Sequence, residues 1–168
     1  MEGFRCSNAA ISLLALHRYD EARRELERAI ECKAPLGTAA EPWKTFNLLY
    51  KLERAVGNNI AAYQARQQTM ATYLAYRSEG GQSTDWGGQV VAFVAQKLSI
   101  GEASSSSTAL AELQVAPQTP EYRTLLLQAL QQVIAGERNP AIADDPALYY
   151  MDAVELILLL EMLNNTPA

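Results

Sequence analysis

The chain of 168 residues has two cysteines, one histidine and fewer basic than acidic side chains, 14 Lys and Arg against 19 Asp and Glu. Cys6 and Cys32 are too few and too far apart for a disulfide framework or a structural zinc site, so a reduced compartment is expected. A net charge of −5 works against phosphate backbones and anionic lipid, which are bound mainly through Lys and Arg, so neither nucleic acid nor a membrane surface is an expected partner. The apolar run from Leu156 to Leu160 is far shorter than the ~20 residues a spanning helix needs. With no basic-then-apolar leader at its start, the chain is expected to be cytoplasmic.

Chemical motifs are equally scarce. There is no HExxH, no paired-cysteine spacing and no regular Asp loop, so no metal and no cofactor is expected. "EGGQSTDWGGQ" has glycines before a helix start but lacks a Walker lysine and a preceding strand, and reads as linker and close helix packing. The serines of "ASSSST" have no nucleophile motif around them and read as loop and N-cap. His17 falls at a helix end, where it is expected to cap carbonyls. Strand alternation and hairpin turn signals are missing too.

What the sequence does contain is helical periodicity. Tyr19, Ala22, Leu26, Ala29 and Ile30 recur at three- and four-residue intervals and mark one face of an α-helix. The charges fall elsewhere: Glu21 with Arg24, Arg23 with Glu27 and Glu25 with Arg28 are spaced for surface pairs worth ~0.2–0.5 kcal/mol each. Upstream, "SNAAISLLALH" is a second helical segment, and the short turn around Arg18 to Asp20 makes the two a hairpin. A second hairpin follows in "EPWKTFNLLYKLERAVGNNIAAYQARQQTMATYLAYRSEGG", where Pro42 suits a first turn and Gly57-Asn58 a break.

The order Tyr19, Ala22, Leu26, Ala29, Pro35 resembles the second half of a tetratricopeptide repeat. Ala10 takes the small position of the first helix. Cys6 and Ala9 depart from the motif's preferred Trp and Leu, and the proline arrives one residue late. Phe46, Leu49 and Ala62 repeat the pattern in the second hairpin, with Tyr50 where a small residue belongs, and Ala22 and Ala62 lie 40 residues apart instead of the roughly 34 of the family. Small side chains at such crossings let two helices approach to ~8–10 Å. The motif covers roughly residues 6–77, and the stretches "ARQQTMATYLAYRSEGG" and "NPAIADDPALYYMDAVELILLLE" resemble the closing region of large bacterial tetratricopeptide proteins. The resemblance implies an all-α fold of antiparallel hairpins stacked as a right-handed α-solenoid of about seven helices. The expected organisation is one domain over 1–168, with two repeat-like hairpins over 4–79 and more degenerate helical pairs over 84–164.

Those later helices are expected from about Asp85 to Leu98, Ser107 to Gln114, Thr119 to Ala135, and from Asp152 to about Asn164. Asp152 with Glu155 has the spacing of a capping box. Both ends of the chain are apolar, Ile11 to Leu16 at one and Leu156 to Leu163 at the other. Terminal repeats need polar outer faces, so self-association, or continuation as a piece of a longer polypeptide, is expected.

Two sets of charged residues stand out. Glu53 falls inside the apolar arc of Trp43, Phe46, Leu49, Tyr50 and Val56, and Arg66 lies between apolar positions of the next helix, so an ion pair between Glu53 and Arg66 is expected across the hairpin. Lys44, Asn47, Lys51 and Arg54 share one narrow face. In tetratricopeptide proteins the first helix of each pair lines the groove, and the resemblance makes this stripe a site for an acidic peptide. The tyrosines Tyr63, Tyr73 and Tyr76 are expected in the core. The leading functional expectation is a non-enzymatic scaffold binding a protein or peptide, or itself; the alternatives are an enzyme of unfamiliar type on a helical fold and a spacer domain of a larger signalling protein.

Overall fold

A computed structural model describes residues 2–115 and 123–165. Among them are eight α-helices, one more than expected, and no strand. No described helix is long and apolar enough to cross a membrane. The chain divides into two compact units, Met1–Gly81 and Gln82–Ala168.

The first unit holds α1 (Glu2–Ala15), α2 (Tyr19–Lys33), α3 (Pro42–Ala55) and α4 (Asn59–Ser78). α1 packs along α2 and α3 along α4, while α2 lies against α3 and α1 touches α3. Ala10, Ala22, Leu26 and Leu52 form the centre of this core, flanked by Leu13, Leu14, Tyr19, Leu48 and Leu49. Ala22, Ala29 and Ala62, the small residues picked out by spacing, are all buried.

Both hairpins turn in the same way. At the end of α1, His17 N donates to Leu14 O and Arg18 N to Leu13 O; at the end of α3, Gly57 N donates to Arg54 O and Asn58 N to Glu53 O. Each is a Schellman closure around one left-handed residue, His17 at φ 55° and Gly57 at φ 77°. The second helices then start with the same backbone bond, Ala22 N to Arg18 O and Ala62 N to Asn58 O, and Asn58 adds a side-chain cap by accepting from Ala61 N. The 40-residue offset seen between the alanines therefore extends to the turn that precedes them. Between the hairpins a 3-10 strap, Ala34–Ala40, occupies the added length, and Thr38 Oγ1 ties it to Glu79 Oε2 beyond α4 at 2.6 Å.

Some local expectations change. The ring of His17 bonds the Tyr19 hydroxyl at 2.7 Å instead of a carbonyl. Trp43 packs its indole against Tyr73 and Tyr76, with centroids 5.6 and 4.7 Å away. Tyr63 is exposed, because the buried stripe of α4 runs through Ala62, Ala65, Arg66, Thr69 and Tyr73 and leaves Tyr63 on its flank.

The second unit holds α5 (Trp86–Ser99), α6 (Ala103–Val115), α7 (Thr124–Ile134), a 3-10 turn at Pro140–Ala143, and α8 (Tyr150–Asn165). α5 packs on both α6 and α8, and α7 on both α6 and α8. The expected opening of a helix at Thr119-Pro120-Glu121 lies outside the described residues. The serine run, read as loop, is the first turn and more of α6. Within it Ser106 and Thr108 bond back to the carbonyls of Glu102 and Ser104. α8 starts at Tyr150, which places Asp152 inside the first turn and rules it out as an N-cap; Asp152 through Leu156 are all buried.

Candidate functional site

The charged residues singled out above all lie in the first unit. On α3, Lys44, Lys51 and Arg54 are exposed and Asn47 is partly buried. Their positions fall opposite the side of α3 that buries Thr45, Leu52 and Glu53. Lys44 Nζ pairs with Glu41 at 2.6 Å. Among the described residues, Lys51 and Arg54 have no carboxylate partner.

Glu53 and Arg66 are both buried, at 3% and 7% exposure. The partner that the structure gives Glu53 is Arg23 of α2: Nε donates to Oε1 at 2.8 Å and Nη2 to Oε2 at 3.1 Å. This bidentate pair draws Arg23 toward the core, away from the surface pairing with Glu27 that spacing had suggested. The Arg23 guanidinium is held above its ordinary range, first by that hydrogen bond. Of the other surface pairs, Glu25–Arg28 forms at 3.2 Å, while Glu21 is taken by Arg18 at 2.6 Å.

A second polar group was not visible in the sequence. Lys33, the last residue of α2, is only 5% exposed. Its ammonium donates to Thr45 Oγ1 at 2.9 Å and sits 4.6 Å from the Phe4 ring centroid. Ser7 Oγ donates to Gly3 O at 3.0 Å, so the 3.3 Å contact between the two hydroxyls is donated by Thr45. No carboxylate lies within ion-pair distance of Lys33 among the described residues. Burial pushes the amine below its ordinary value, against an opposing pull from Glu41. Next to it is a cavity of about 320 Å³. A terminal lysine after an amphipathic helix reads as solvated; here its stem lies close to Gly3, and its ammonium meets Phe4 of α1 and Thr45 of α3.

Cys6 is buried, and burial followed by the neighbouring Glu25 raises its pKa, whereas Cys32 is exposed.

In the second unit the glycines of "DWGGQ" serve a cap. Asp85 accepts from Gly87 N at 3.1 Å and Gly88 N at 3.4 Å, and Ser83 Oγ donates to Asp85 at 2.6 Å. Gly87 is required by close approach, since a methyl group there would fall 1.8 Å from Oδ1 of Asp152. The Asp152 carboxyl is pushed up to about 7, by burial first and then by Asp85, with Arg123 opposing. Arg123 lies over the Trp86 ring at 4.4 Å. Among the described residues no group of three or more His, Cys, Asp or Glu is arranged to hold a metal ion.

No family model, no curated protein and no solved structure matches the chain. What is shown is an all-α protein, with two paired hairpins in its first unit.

Proposed function

We propose that this chain is a non-enzymatic, cytoplasmic protein-interaction module of tetratricopeptide-like, right-handed solenoid type, which takes an acidic peptide segment along the exposed face of α3. The observation that carries this reading is the pair Lys51 and Arg54, one turn apart, exposed and without a carboxylate partner among the described residues. Lys44 and Asn47 extend the stripe toward the start of the helix. Charge-assisted bonds from such donors favour carboxylates, and a chain of net charge −5 gains selectivity by concentrating free cations on one face. The matching turns and buried alanines of the two hairpins support the repeat-like reading.

Fluorescence anisotropy with a labelled oligoglutamate peptide, run beside its oligoglutamine counterpart, tests it. The wild-type chain should bind the acidic peptide and lose affinity as salt rises, and K51A/R54A should weaken binding about tenfold. Equal binding of both peptides, or an unaffected double variant, removes the proposal.

Self-association is the second reading. Phe4 and Ile11 are 44% and 50% exposed and lie two turns apart on one face of α1. Light scattering should then give a dimer mass that F4E/I11E reduces to the monomer.

A further inference from the structure

We propose that the cavity between the end of α2, the 3-10 strap, α3 and α4 is a binding site for a small monocarboxylate with an apolar body, its carboxylate received by Lys33. This site is distinct from the α3 stripe. Lys33 is the only ionisable residue among those lining the cavity. The other hydroxyls at the wall are already committed: Thr72 bonds the carbonyls of Gln68 and Thr69, and Thr38 bonds Glu79. Ile30, Pro42 and Phe46 supply the apolar walls.

A buried ammonium without a counter-ion is costly, and the cost is removed when an anion arrives. Here the ammonium keeps one hydroxyl and one ring face, which leaves donor capacity unused. One ammonium matches the charge of a single carboxylate, whereas a phosphate dianion calls for more donors. The volume, about 320 Å³, stands at the lower end for small-molecule sites. Thus the carboxylate would supply the missing charge and an aliphatic or aryl body would fill the remaining space.

Octanoate and 1-octanol are the probes, titrated into the full chain by calorimetry. The wild type should bind octanoate at least tenfold more tightly than octanol. K33M, which keeps the stem and leaves Thr45 bonded to Ser7, should bind the two alike. F46W, which fills the cavity while retaining the ammonium, should weaken both, and K51A/R54A should weaken neither. Equal affinities in the wild type overturn the proposal, and so does a preference for the acid that survives in K33M. Should K33M fail to fold by circular dichroism, the wild-type comparison and F46W still decide: undiminished binding in F46W places the ligand elsewhere and sinks the idea.

Discussion

Arg23 of α2 and Glu53 of α3 form a bidentate pair that joins the two hairpins of the first unit, with the carboxylate at 3% exposure and the guanidinium reaching in from the surface. Removing the arginine leaves an uncompensated buried charge, so R23M should lose about 2–3 kcal/mol in urea denaturation. That is below the full range for a wholly buried pair, because the Arg23 side chain keeps 30% exposure. R23M/E53L should recover most of the loss. A double variant as unstable as R23M would show that the pair is not what the interface depends on.

In the two closures the left-handed position is glycine at 57 and histidine at 17. A side chain there costs about 1 kcal/mol. H17G should therefore raise stability by up to that amount, less the bond to Tyr19, visible as a higher melting temperature. A fall in melting temperature would mean that the His17–Tyr19 bond outweighs the backbone term.

Ala22 is fully buried among Ala10, Leu26 and Leu52. Added methyl groups have no space at this crossing, and A22L should cost about 1–3 kcal/mol or separate the helices. Ala9, exposed on α1, is the control: A9L should change stability by less than about 0.5 kcal/mol.

Asp152 gives a pH dependence with a definite sign. Its carboxyl titrates at about 7 in the fold against 3.8 ordinarily, so the native state holds a proton that the unfolded chain releases. Its contribution is complete below about pH 4 and disappears as pH rises through 7. Melting temperature should fall from pH 5 to pH 8, by no more than the equivalent of about 4 kcal/mol. D152N keeps a neutral group beside Asp85, Glu155 and Arg123, and should flatten that slope. A slope unchanged in D152N would assign it to another group.

Much of the first unit was legible because it is local. Gly57-Asn58, Pro42 and the three- and four-residue spacing of Ala22, Leu26 and Ala29 act within one or two turns, and the helices lie close to where they point. The α6 serines misled because propensity favours a loop while the hydroxyls have an alternative partner one turn back. Side-chain partners were harder to read. Glu53 meets Arg23, whose spacing reads as a surface position, and which helix approaches it depends on packing that spacing does not encode. Lys33 was invisible for a similar reason: the residues it meets, Gly3 and Phe4 of α1 and Thr45 of α3, are distant in sequence. For Lys51 and Arg54, the sequence conveyed their shared face and exposure, both properties of a single helix.

The strap also places the cavity outside the repeat pattern. Each hairpin carries its own turn and alanine crossing, while the wall beside Lys33 is completed by the connecting segment from Ala34 to Ala40. Connections tolerate changes in length far better than packed helices do. Shortening this one toward the usual repeat period would remove part of the cavity wall, with both hairpins still folded. Ligand capacity and architecture are thus separately adjustable in this molecule.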